Sequence, residues 1–143
     1  MPLHPDFPVV EGQYKMTSEW SVTLDSRFNR RVEDKSLVLW RPGVTAWVDV
    51  WNNDRNETAQ ERLAWVQQSQ AAEAFSTEAT EYGGVLRYSY RLAEDSDDKR
   101  VPALYCFAFG QQSHVQMAVY FDREEDASKA RAMCASLTYA SLE

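Results

Sequence analysis

Hydrophobic positions in this chain recur with two periods, and glycines and prolines mark where one gives way to the other. Trp20, Val22 and Leu24 alternate with Ser21, Thr23 and Asp25, the pattern of a half-buried strand. A second strand is predicted over residues 35–41, carrying Leu37, Val38, Leu39 and Trp40. Pro42-Gly43 then supplies the residues a type II turn requires, so the strand at 44–51 closes a hairpin. One face of that strand is Val44, Ala46, Val48 and Val50; the other is Thr45, Trp47, Asp49 and Trp51. With large side chains on both faces, it is expected to be central and covered on both sides.

A helix is predicted between about 56 and 72. Thr58 and Glu61 have capping-box spacing, and Ala59, Leu63, Val66 and Gln70 form a buried stripe with Trp65 at its margin. Four strands follow: 75–82, polar enough for an edge, then 85–92, 101–109 and 113–121. A last helix starts with Asp122 as its N-cap and buries Ala127, Ala130, Cys134 and Leu137, with Met133 beside them. The fold class is α+β: a mostly antiparallel sheet of about six to seven strands with helices packed on it. Residues 1–17, which include Pro2, Pro5 and Pro8, are expected to be a loosely ordered extension of a single domain at 18–143.

Composition narrows the function classes. The 143 residues are 44% hydrophobic and 26% charged, which excludes a disordered chain, a fibre and a membrane-spanning protein. A net charge of −7 disfavours nucleic acid and anionic lipid, and leaves another protein, one of basic surface, as the expected partner. Cys106 and Cys134 belong to no CxxC motif and are expected to be separate buried thiols. The first ten residues lack a basic segment followed by an apolar one, so a bacterial-type cytoplasmic location is expected.

Candidate chemistry is sparse. His4 and His114 have no partner at metal-ligand spacing, no GxSxG is present, and Gly83-Gly84 lacks the Lys and helix start of a phosphate cradle. The acidic run 94–98 lacks the glycine a calcium loop needs at its sixth position and reads as a solvated hairpin loop. No catalytic, metal or cofactor residue is therefore assigned. Asp49, between Trp47 and Trp51, is the one carboxylate placed for burial, and its alternative is an ion pair with Arg41, Arg87 or Arg91. Trp47, Trp51, Tyr88 and Tyr90 could line an aromatic wall with Arg87 and Arg91 at its rim; the alternative is that these rings fill the core. Trp65 completes the set of candidate contact residues.

Trp20 opening the first strand, the hairpin, the inserted helix and the closing FDREEDASKARAMCASL (121–137) resemble the PsbP-like superfamily. That group holds the photosystem II extrinsic subunit, Mog-type Ran-binding proteins and bacterial proteins that include chaperones of type VI secretion effectors. The resemblance lies in topology over residues 18–138 and carries no diagnostic motif, so it transfers no functional residue. It implies an α/β/α sandwich and a non-catalytic adaptor role, such as an effector chaperone or toxin-immunity-like protein. The contrasting reading is a small-ligand-binding domain or weak enzyme using the Trp47–Asp49–Trp51 face.

Overall fold

The computed structural model describes residues 3–82, 85–96 and 99–140. Gly43 adopts φ +87°, a left-handed conformation that glycine takes without strain, and the chain reverses there from β3 (Ser36–Arg41) into β4 (Val44–Asn52). Before this hairpin run β1 (Val9–Lys15) and the long β2 (Trp20–Glu33). After it come α1 (Ala59–Ser69), then β5 (Phe75–Tyr82), β6 (Val85–Ser96), β7 (Lys99–Phe109) and β8 (Ser113–Phe121). A 3-10 turn at Glu124–Asp126 leads into α2 (Ala127–Ala135), and β9 (Thr138–Tyr139) ends the described chain. Asp97 and Asp98 of the acidic run, and the Gly83-Gly84 pair, lie outside the described residues.

The sheet has nine strands, more than the six to seven expected, and it is open. Its order is β1-β2-β3-β4-β8-β7-β6-β5, with β9 pairing β2 off that path. The additions are β1 and β9. β1 has no clean alternation, and Gly12, at φ +66°, sits at a register shift against β2. Within the segment expected to be loosely ordered, the described residues from His4 onward are stitched down. Asn29, fully buried, donates to the His4 and Phe7 carbonyls and accepts from the His4 N–H, while Phe7 meets Trp40 edge-on at 5.1 Å.

Of the helix expected over about 56–72, Ala59–Ser69 forms, and of the N-cap candidates Thr58 and Asn56 it is Thr58 that caps it, closing the reciprocal capping box with Glu61. Asp122 is displaced as the second helix's cap. Its N–H donates to the Gly43 carbonyl, and the 3-10 turn intervenes before α2.

The helices pack on opposite faces. On the first, α2 covers a core built from Trp20, Leu39, Ala46, Met117, Val119 and Phe121 with its own Ala130, Met133 and Cys134. On the second, Val66 of α1 packs with Leu86, Tyr88, Tyr90, Phe107 and Phe109. Because α1 rests on β6 and β7, the second face of β4 is not covered as expected; Thr45, Trp47 and Asp49 stay half-buried and Trp51 is exposed.

Cys106 and Cys134 are not separate thiols; they form a disulfide that ties α2 to β7, with Cα atoms 6.1 Å apart. Periodicity had placed both in buried stripes, but that the stripes face each other is tertiary information.

Beyond α2 the chain is fastened by Tyr139, whose ring packs on Trp20 at 4.8 Å and whose hydroxyl accepts from the Gln112 N–H. Trp20 donates from Nε1 to Ser113 Oγ at 2.8 Å. Gly110 lies under the Tyr139 ring so closely that a Cβ there would sit 2.6 Å from it. Gly110→Ala is therefore expected to cost about 1–3 kcal/mol in urea unfolding. In a Tyr139→Ala background the same change should cost almost nothing; equal costs in both backgrounds would refute the contact.

Candidate functional site

The site grows from the end of β4. Strand β4 pairs antiparallel with β8, and the register sets Trp51 opposite His114 and Asn52 opposite Ser113. Their rings meet at 5.8 Å, and Phe109 contacts His114 from the other side at the same distance. Asn53 then fastens the β4–α1 connection. Its side-chain amide donates to the Glu57 and Gln111 carbonyls and its Oδ1 accepts from the Glu57 N–H, so the start of α1 is held against the β7–β8 turn.

One turn into α1, Arg62 points inward and is only 9% exposed. Its Nη1 donates to Asn53 Oδ1 at 2.6 Å and lies 3.7 Å from a Glu57 carboxylate oxygen. Its Nη2 donates to His114 Nδ1. A guanidinium can only donate, so Nδ1 is the unprotonated nitrogen and the imidazole is neutral. Burial, and then the Arg62 charge, hold the His114 pKa down at about 4.

These groups form the floor of a cleft of about 340 Å³. Trp51 and Trp65, 44% and 58% exposed, line it, and Asp54, Arg55 and Glu57 add charge at its edge. This volume lies within the range of small-molecule and side-chain pockets.

The residues singled out in the sequence thus divide. Trp51 and Trp65 come together. Trp47 lies elsewhere on the second face, with the Arg31 guanidinium 5.8 Å above it. Asp49 accepts a hydrogen bond from Ser36, not from Arg41, Arg87 or Arg91.

Arg87 and Arg91 point to the opposite face from Tyr88 and Tyr90. Arg87 donates to the Leu137 carbonyl at 2.6 Å, and Arg91 grips the Glu124 carboxylate with both terminal nitrogens while lying over Phe75 and Phe121. That ion pair raises the Arg91 pKa and lowers that of Glu124. A wall of four rings with arginines at its rim is therefore not formed, and Tyr88 and Tyr90 fill the core under α1 as the alternative had it. Tyr90 instead stacks on Tyr105 at 5.3 Å, and Tyr105 shares a hydroxyl hydrogen bond with Tyr120.

Arg62 was missed. It falls three residues after Ala59 and four before Val66, so helical spacing puts it on the buried stripe, a position where an arginine signals a polar contact beneath the helix. No protein-family model matches the chain, and comparison with curated proteins finds no match.

The neutral histidine has a measurable signature. The unfolded chain takes up this proton near 6.5 and the folded chain only near 4, so between those values the unfolded state binds more protons. The His114 contribution to stability is therefore expected to be full above about pH 6.5, to fall as pH drops toward 4, and to level off below. His114→Gln should flatten that stretch of the stability–pH curve. By NMR, the His114 midpoint should move upward in Arg62→Met; a midpoint that stays near 4 would remove Arg62 from the cause.

Proposed function

We propose that this chain is a non-catalytic protein-binding module of PsbP-like α/β/α architecture, and that its partner docks at the Trp51–Trp65 cleft. The observation that carries this reading is two large, exposed indoles lining one cleft above a rigidly held arginine. Tryptophan and arginine dominate the energetics of protein interfaces, because they bring large contact area and several donors at low cost in conformational freedom. The net charge of −7 favours a basic partner, as the substrate of an effector chaperone or a toxin bound by an immunity-like protein would be.

The chemistry of the floor supports a non-catalytic role. His114 is the single imidazole there, and its Nδ1 is already engaged as an acceptor, so it has no lone pair ready to take a substrate proton. The bacterial, cytoplasmic setting expected from the sequence belongs to the same proposal; no helix among the described residues is long and apolar enough to cross a membrane. The cleft volume also favours a second reading, in which a small apolar molecule occupies the same indole-lined space.

The test is a pair of exposed-surface changes. Because both indoles are largely solvent-exposed, Trp51→Ser with Trp65→Ser should leave the melting temperature within a few degrees of wild type. A partner recovered with the wild-type chain should then bind at least about 30-fold more weakly to the double variant, the loss of one interface hot spot. Undiminished binding would place the docking surface elsewhere. A partner displaced by a low-molecular-weight compound that quenches Trp51 and Trp65 fluorescence would favour the second reading.

A further inference from the structure

The disulfide belongs to the core, and one side of it borders a cleft. On the first face of the sheet, α2 packs on β2, β7 and β8, and between it and the β5–β6 edge lies a second cleft, of about 210 Å³. Both Cys106 and Cys134 line it. At 3% and 8% exposed both residues are buried, and the bridge meets this cleft only at its inner wall. Ser89, which pairs with Cys106 across β6 and β7, lines it too.

Two guanidiniums and one carboxylate, that of Glu78, also line the cleft. Arg131 precedes Cys134 by three residues on α2 and reaches across to β5, donating to Ser76 Oγ at 2.9 Å and to Glu78 at 3.3 Å. Arg87 is anchored on the Leu137 carbonyl at the end of α2. Cations beside a sulfur stabilise the thiolate form and so make it a better leaving group. With two guanidiniums against the single Glu78 carboxylate, the local charge of the lining favours anions.

We propose that the Cys106–Cys134 bridge is a reversible thiol–disulfide exchange site for small anionic thiols. A thiolate attacks Sγ of Cys134, the more exposed of the two residues; the S–S bond breaks and its electron pair leaves on Cys106. A second thiolate attacks the outer sulfur of the mixed disulfide and releases Cys134. In total, one protein disulfide and two thiols give two protein thiols and one small disulfide, with two electrons passing to the protein and the thiol protons accounted for.

Helix α2 keeps its place after reduction, because the β9–β2 pairing and the Tyr139–Trp20 contact hold the segment that follows it. In a cytoplasmic setting a bridge of this kind is transient and senses the thiol pool, whereas in an oxidising compartment it stays closed.

The experiment uses the native full chain, with free thiols counted by alkylation and mass. Glutathione, which carries net negative charge, and the cationic thiol cysteamine are compared at equal thiolate concentration. The proposal expects reduction without denaturant at a rate first-order in thiol, glutathione faster by about tenfold, and a far-UV spectrum that is unchanged on reduction. Arg131→Gln should remove the preference for glutathione while leaving reduction by uncharged dithiothreitol intact.

Four results would overturn it: a rate independent of thiol concentration and equal to that of global unfolding, purified protein with both cysteines free after air oxidation, a preference that survives in Arg131→Gln, or loss of fold on reduction. None of these depends on the Trp51–Trp65 cleft.

Discussion

The pairing of β4 with β8 is the constraint on which the rest of the molecule depends. Strands β1 to β4 form one meander and β5 to β8 another, and each could be drawn as a sheet of its own. The seam runs from Val44 opposite Phe121 to Asn52 opposite Ser113 and makes one sheet of the two. On the first face it brings Ala46 beside Val119 and Val48 beside Met117, so the core under α2 is continuous across both halves. A slip of one residue would turn Met117 and Val119 outward and bury Gln116 and Tyr120, so the apolar pattern fixes the register without any special contact.

The candidate site is a product of the same seam. Trp51 is near His114 because the register says so, and Arg62 reaches His114 because Asn53 fixes how the chain leaves β4 for α1. Burying a guanidinium is costly unless its donors are met; here an amide oxygen, an imidazole nitrogen and a more distant carboxylate serve the two terminal nitrogens, while the buried Nε has no partner among the described residues. The neutral state of His114 follows from the arrangement: a protonated ring would point a second positive charge at Arg62.

What was legible in the sequence was what is local. The capping box at Thr58 and Glu61 and the turn at Pro42-Gly43 each rest on a few neighbouring residues, and each formed where expected. The alternation of Arg87 and Arg91 with Tyr88 and Tyr90 already implied opposite faces, so the imagined wall with arginines at its rim conflicted with strand parity. β1 escaped notice because a glycine bulge breaks its period, and β9 because two residues carry none. The disulfide and the floor of the cleft depend on which stripe meets which strand, and residue types alone do not say so. Trp51 and Trp65 could be named singly; their meeting could not.

The order of the strands also matters while the chain is being made. Synthesis runs from the N-terminus, so β4 emerges well before β8 exists, separated from it by α1 and three strands. Through that interval β3–β4 presents an unpaired strand edge flanked by Val44, Ala46 and Val48 on one side and by Trp47 and Trp51 on the other. Nascent chains on the same message carry identical edges, which makes β4 the segment through which two unfinished copies would pair with each other. Slower elongation between α1 and β8 lengthens that exposure.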